Sequence, residues 1–258
     1  MDAPVAVGGP SAWWGVMLEE SDWVVPVDRV AERLRHGPGF AVVRGFDLDA
    51  LTDDECVEVC RRFVALQGVA VRPVDLTLPG HNLLTADGSR DDAELGPHTD
   101  RGMSSRPARL LGLLCVRPAR SGGESVLVSG HAVHDVLLGS RPEVLPTLYG
   151  EFHFGDGPGY ERVHPVFRRG GDRLDVQYNR YWITRGRLER GEKLTDSQVA
   201  ALDAFDEVMA DPRLTLRLQL RRGDLLLVDN LTVLHGRTAF VDPPEPEPGR
   251  CLARVWAD

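Results

Sequence analysis

The sequence predicts an α+β fold, a double-stranded β-helix (jelly-roll) core flanked by helices. Three observations point there. Helical spacing is concentrated near the N-terminus and in one later segment, short apolar runs bounded by turn residues fill most of the chain beyond about residue 70, and one run alternates strictly between apolar and polar positions. A chain of 258 residues can bury a substantial core, and no Pro/Gly/Ser-rich linker or internal repeat divides it, so residues 1–258 are read as a single domain.

In chain order, residues 27–34 have helical spacing and lead through Gly37-Pro38-Gly39 into an apolar strand at 40–43. Thr52 offers an N-cap to Asp53, Asp54 and Glu55, and Cys56, Cys60 and Phe63 form the apolar stripe of a helix running to about Gln67. Strands are expected at 110–116, 125–128, 163–168, 174–178 and 251–256. Val199, Leu202, Phe205 and Val208 mark a helix over 196–209. Leu214, Leu216, Leu218 and Leu220 alternate with Thr215, Arg217 and Gln219, and Arg222-Gly223-Asp224 then turns the chain into Leu225-Leu226-Leu227-Val228. That pattern reads as an antiparallel hairpin with one buried face. A barrel of this type has a mouth, where strand ends can carry a metal and a small organic ligand.

Thirty basic against 39 acidic residues leave a formal charge of −9, which argues against a polyanion-binding surface and hence against nucleic acid as a partner. No apolar run is long enough to span a bilayer, and the opening Met-Asp-Ala-Pro has neither the basic nor the apolar region of a signal peptide, so no membrane association and a cytoplasmic location are expected. Cys56, Cys60, Cys115 and Cys251 follow no metal or redox spacing and read as buried reduced thiols. Asn230-Leu231-Thr232 spells a glycosylation acceptor, but in a cytosolic chain it is set aside.

The chemistry is concentrated in His98-Thr99-Asp100 and in His235, which lies in the apolar run from Asp229 to Arg237. In an extended strand residues i and i+2 share a face, so His98 and Asp100 can converge on one cation, with His235 brought in by folding as the third ligand. Two histidines and one carboxylate leave coordination positions open, which suits non-heme Fe(II) and O2 better than a closed structural site. His131 and His134 sit i,i+3 on a short helix without a third partner, and His36, His81, His153 and His164 are isolated; all read as structural or surface residues. Iron chemistry of this kind needs an electron source, and 2-oxoglutarate chelates such a metal through its 1-carboxylate and 2-keto oxygen. Arg250, fifteen residues after His235 at the start of an apolar strand, is placed to bind the distal carboxylate, and Arg254 shares its strand face.

Leu95-Gly96-Pro97-His98-Thr99-Asp100, Ser121-Gly122-Gly123-Glu124-Ser125, His164-Pro165-Val166-Phe167-Arg168, the stretch from Gly223-Asp224 through Asp229-Asn230 to His235-Gly236-Arg237, and Arg250 to Arg254 occur in that order. Together they resemble the taurine dioxygenase-like (TauD/TfdA) family of Fe(II)/2-oxoglutarate dioxygenases, related to clavaminate synthase, over most of the chain. The resemblance implies His98, Asp100 and His235 as catalytic iron ligands, Ser125 as a hydrogen-bonding partner of the co-substrate, and Arg250 as the partner of its distal carboxylate. It also implies that O2 and 2-oxoglutarate yield succinate and carbon dioxide as the substrate is oxidised. Asp100 speaks against halogenation, since related halogenases replace this carboxylate by Ala or Gly.

For the substrate, the resemblance points to Glu94, near which relatives hold a substrate amine, and to Arg254, which either binds the substrate's acidic group or reinforces Arg250. Asn82, Tyr178 and Arg180 are expected to add pocket walls. The implied activity is hydroxylation of a small polar molecule, an amino acid or an intermediate of a specialised metabolite such as an antibiotic. Desaturation, cyclisation and epimerisation use the same cofactors. The rivals of another class are a non-catalytic jelly-roll ligand binder and a zinc protein using the same three ligands without redox chemistry; Ser125 and Arg250 weigh against both, since neither needs 2-oxoglutarate. Substrate identity, the position oxidised and assembly into a homo-oligomer are left open by the sequence.

Overall fold

The computed structural model describes residues 24–72, 83–85, 92–102, 107–155 and 162–258. With strands numbered in chain order, a five-stranded antiparallel sheet runs β1 (Phe40–Val43), β12 (Leu225–Asp229), β4 (Leu110–Arg117), β15 (Cys251–Ala257), β2 (Leu83–Thr85). A four-stranded antiparallel sheet runs β11 (Thr215–Leu218), β6 (Ser125–Ser129), β13 (Val233–Arg237), β3 (Leu95–His98). Short ladders pair β5 (Ser121–Gly122) with β14 (Phe240–Val241), β7 (Phe152–Phe154) with β8 (Arg162–His164), and β9 (Phe167–Gly170) with β10 (Arg173–Val176). The helices are α1 (Val30–His36), α2 (Asp53–Leu66), α3 (Gly130–Ser140), α4 (Leu145–Leu148), α5 (Arg180–Glu189) and α6 (Asp196–Met209).

Side-chain parity along the strands builds the layers. On the five-stranded sheet Ala41, Val43, Leu225, Leu227, Cys251, Ala253 and Val255 pack with Val30 of α1 and with Val57, Cys60 and Val64 of α2. Their neighbours in sequence, Phe40, Val42, Leu226, Val228, Leu252 and Trp256, pack instead with Leu127, Leu216, Leu218 and Val233 of the four-stranded sheet. Val128 and Leu234 join a third cluster with Val133 and Leu137 of α3, Leu145 and Leu148 of α4, and Leu202 and Phe205 of α6. The result is helices on the outer face of each sheet and a shared core between the sheets, the α+β jelly-roll expected from the sequence.

The helix starts behave as their sequences dictate. Thr52 accepts from the Glu55 N–H at 3.3 Å while its own N–H donates to Glu55 Oε2 at 2.8 Å, and Thr195 and Gln198 repeat this box at the head of α6. α2 lies close over β4 because Gly112 has no side chain; a Cβ there stands 2.9 Å from Val64 Cγ2. Phe205, fully buried and stacked on Tyr178 at 4.2 Å between centroids, is the keystone of the third cluster. Phe205→Ala is expected to cost about 3–5 kcal/mol, read from the midpoint of denaturant unfolding at unchanged slope.

Three elements differ from the sequence expectation. The run 214–228 is not a hairpin: β11 pairs with β6 in one sheet, and β12 pairs with β1 and β4 in the other. Gly223, at φ 79°, turns the chain against β4, where the Gly223 N–H donates to the Cys115 carbonyl and the Cys115 N–H to the Asp224 carbonyl. Leu216 and Leu218 of β11 therefore meet Leu226 and Val228 of β12 across the inter-sheet core, while Leu225 and Leu227 face the helices. The expected strand 163–168 is broken into β8 and β9 at Pro165, which has no N–H for a ladder. Residues 180–189, not assigned to a helix from sequence, form α5, whose N-cap Asn179 accepts from the Trp182 N–H at 3.1 Å.

Candidate active site

β3 and β13 are antiparallel neighbours with His98 directly opposite His235, and their ring centroids are 4.7 Å apart. Asp100 lies past the end of β3, in a turn, so the turn and not a pleated strand face brings it to the histidines. Its Oδ1 is 3.3 Å from His98 Nε2 and 3.7 Å from His235 Nε2. One potential ligand atom from each of the three residues lies within 4.8 Å of the others. The turn is held from several sides. The Asp100 N–H donates to Asn230 Oδ1 at 2.7 Å, Asn230 Nδ2 donates to the carbonyls of Asp100 (2.9 Å) and Ala108 (2.8 Å), and the Thr99 N–H donates to the Tyr178 carbonyl at 2.7 Å. His164 Nε2 lies 2.9 Å from the Gly102 carbonyl.

The donor set fits a divalent cation. His98 Nδ1 is 2.9 Å from the Gly96 carbonyl, which can only accept, so Nδ1 carries a proton and Nε2 is the ring atom turned toward Asp100 Oδ1. Burial opposes ionisation of Asp100, but Arg254 beside it and the two imidazoles hold its carboxyl well below the usual carboxylate range. Burial pushes the His235 imidazole down, against the pull of Asp100, which favours the neutral, ligand-ready ring. Imidazole lone pairs facing a carboxylate oxygen repel unless a proton or a cation stands between them. Two imidazoles and one ionised carboxylate supply that place for a metal and leave other coordination positions open.

A cavity of about 250 Å³ opens beside the three residues. Leu84, Leu113 and Leu252 make its apolar wall, and Ser125, Arg250 and Arg254 its polar one. Glu94 lines the same cavity as an exposed residue. Parity places the arginines: Arg250, Leu252 and Arg254 point inward because Cys251, Ala253 and Val255 point to the helices. Arg250 is 5% exposed, its N–H donates to Asp242 Oδ1 at 2.7 Å, and its guanidinium stands over the Phe240 ring at 5.2 Å. Burial, reinforced by the like charge of Arg237, pushes its pKa down to about 10. No carboxylate among the described residues lies within 4.0 Å of that guanidinium, so an anionic group entering the cavity relieves it. Arg254 is committed elsewhere: its Nη1 is 3.5 Å from Asp100 Oδ2, and its guanidinium lies 4.4 Å over the Trp256 ring.

The model of the family described as taurine catabolism dioxygenase TauD, TfdA family matches residues 12–256. The chain belongs to that family. It is 28% identical over 251 residues to FR-33289 synthase of Streptomyces rubellomurinus, covering 89% of this chain and 72% of that protein. It is 32% identical over 145 residues to uridine-5'-phosphate dioxygenase of a Streptomyces species, covering 52% and 50% respectively. Among solved structures, asparagine oxygenase in complex with Fe(II), 3-hydroxyasparagine and succinate superposes with a TM-score of 0.63 at 20% identity, over 89% of this chain and 78% of that one. The non-heme iron oxygenase OrfP, in complex with Fe, succinate and (3R,4R)-dihydroxy-L-Arg, superposes with a TM-score of 0.66 at 16% identity, over 90% and 80%. These superpositions show the shared fold. As a TauD/TfdA-family protein the chain is an Fe(II)/2-oxoglutarate-dependent dioxygenase, using O2.

Within this TauD/TfdA fold His98, His235, Ser125, Arg250, Arg254 and Glu94 line one cavity, and Asp100 stands against the two histidines. Tyr178 and Arg180 do not join them. Tyr178 is 1% exposed in the core under α6, with its hydroxyl on Asp206, and Arg180 pairs with Asp203 and Asp206 of α6 at 2.8 and 2.7 Å. They brace α6, and Tyr178 serves the site only through its backbone bond to Thr99. Asn82 lies outside the described residues. The sequence reading missed Asn230 and Trp256, which hold the backbone and one carboxylate oxygen of Asp100. Asn230 is visible in sequence only as a polar residue inside an apolar run. No helix among the described residues is long and apolar enough to cross a membrane.

Proposed function

We propose that His98, Asp100 and His235 hold Fe(II), that Ser125 and Arg250 hold 2-oxoglutarate, and that the enzyme hydroxylates a small polar, amine-bearing substrate, an amino acid or a biosynthetic intermediate of similar size. The observation that carries this reading is the pairing of a three-residue ligand cluster with a buried guanidinium in the same cavity of about 250 Å³. When bound, the metal and co-substrate supply the oxidising power: O2, 2-oxoglutarate and a substrate C–H become succinate, carbon dioxide and a C–OH. The protein's part is binding and orientation. Asp100 and the histidines contribute charge and lone pairs, Arg250 fixes the far carboxylate, and the leucine wall excludes water from the reacting carbon. Glu94 at the cavity's edge takes the substrate ammonium.

The test is a screen of amino acids and other amines, reading succinate formed above the substrate-free background, followed by product analysis to tell hydroxylation from desaturation, cyclisation or epimerisation. With the active amine, Glu94→Gln is expected to leave metal binding and uncoupled 2-oxoglutarate turnover unchanged. It should lower kcat/KM roughly five- to thirtyfold, mainly through KM, about 1–2 kcal/mol for an ion pair partly desolvated by the substrate. An active compound without an amine, or normal turnover by Glu94→Gln, removes Glu94 from the site.

A further inference from the structure

Trp256 is the penultimate residue of β15, 5% exposed, on the inward face that also carries Leu252 and Arg254. Its indole Nε1–H donates to Asp100 Oδ2 at 2.9 Å. The other carboxylate oxygen, Oδ1, is the one that faces His98 and His235. Asp100 is thus held at both ends, its backbone by Asn230 and its outer oxygen by Trp256. The indole itself has little freedom. The Arg101 and Arg254 guanidiniums lie 4.8 and 4.4 Å over the ring, and the Trp256 carbonyl accepts from the Arg72 N–H at 2.9 Å.

We infer that Trp256 is a positioning residue for the metal site, holding Oδ2 of Asp100 so that the carboxylate offers a cation only Oδ1. The inference rests on the reading that His98, Asp100 and His235 bind the metal. A carboxylate can bind one ion through one oxygen or through both, and the second mode takes a position that a chelating keto acid or O2 needs. An indole N–H is a donor only and fixes Oδ2 on the side away from the histidines, so the two-oxygen mode, which turns Oδ2 toward the metal, lengthens or breaks this buried bond. Packing alone does not call for this residue type, because phenylalanine fills an apolar inter-sheet core equally well. The nitrogen is what distinguishes Trp256, and it is spent on the one carboxylate among the three ligands. Arg254 approaches the same oxygen at 3.5 Å, a distance that adds charge but little direction.

The experiment compares full-length wild type with Trp256→Phe, which keeps the buried ring and removes the donor. Co(II) is the metal probe and 2-oxoglutarate the titrant. In the variant the visible Co(II) absorption should change shape, Co(II) affinity should fall roughly tenfold, within the range typical for residues that orient metal ligands, and the 2-oxoglutarate requirement should rise similarly. In wild type, the Trp256 indole N–H resonance, assigned by through-bond experiments on isotope-labelled wild-type protein, should exchange slowly and shift when Zn(II) is added. A variant with the wild-type Co(II) spectrum and an unchanged 2-oxoglutarate requirement overturns the inference. So does a wild-type indole proton that exchanges freely and ignores Zn(II), the measurement that decides if the variant fails to fold. Wild-type Co(II) uptake that is insensitive to Asp100→Ala overturns the metal reading itself and is recognisable as such, because the variant at Trp256 plays no part in it.

Discussion

Asp100→Ala and His235→Ala should each abolish the weak visible charge-transfer band that the wild-type protein develops with Fe(II) and 2-oxoglutarate in the absence of O2. That band requires the keto acid to chelate a metal held with two adjacent positions open, which is what two imidazoles and one carboxylate oxygen within 4.8 Å provide. Turnover should fall by more than roughly a hundredfold, beyond the 10–100-fold typical for residues that merely orient ligands. The two variants differ in their effect on the fold. Asp100→Ala leaves the buried Trp256 N–H without its acceptor and the half-buried Arg254 without its 3.5 Å carboxylate partner, so a loss of about 3–5 kcal/mol is expected on thermal or denaturant unfolding. His235 Nδ1, by contrast, has no hydrogen-bond partner among the described residues, so His235→Ala removes ring packing but breaks no bond on that side. Zinc held as tightly as iron by protein from iron-replete cells, with no band after reconstitution, is the result that favours a zinc protein.

Arg250→Ala should raise the 2-oxoglutarate requirement at least roughly thirtyfold while metal binding and a cooperative melt persist. Losing a charge-assisted, two-pronged contact in a desolvated site costs about 2–5 kcal/mol. The effect belongs to the ligand and not to the fold because the guanidinium is buried beside another cation, Arg237, and its pKa is already pushed down to about 10. Removing it relieves the empty protein of a costly charge and deprives the loaded protein of its anchor. Arg250→Lys should recover only part of the affinity, since an ammonium cannot match the carboxylate with two parallel bonds. Titration of 2-oxoglutarate into the Fe(II) protein without O2 measures this directly; an unchanged requirement assigns the distal carboxylate to another cation.

Most of the individual elements were legible because they depend on neighbours in sequence. The N-cap at Thr52, the apolar stripes of α2 and α6, and the strands at 40, 110, 125 and 251 follow from local spacing and local hydrogen bonding. What failed was pairing. Alternation along 214–220 reports that one face is buried, but it does not say against what, and the leucines that looked like one hairpin face belong to two sheets packed across a core. Tyr178 and Arg180 failed for the same reason: being near a motif in sequence does not set a side chain's direction, and their partners on α6 lie more than twenty residues away.

The candidate site divides along the same line. The sequence by itself determined the kinds of group available: two histidines and a carboxylate in HxD and distant-His positions, an arginine opening an apolar strand, a serine after paired glycines. It also determined, through the alternation of β15, that Arg250 and Arg254 share a face. Only the tertiary structure decided which atoms these groups present to one another. The turn past β3 and the register of β13 bring three ligand atoms together across a separation of 135 residues, Asn230 holds the backbone of Asp100, and Trp256 and Arg254 occupy one of its oxygens so that the other faces the histidines. Residue type is a chemical property carried by each position alone, whereas direction and distance are set by hydrogen bonds and packing between segments that meet only when the chain is folded.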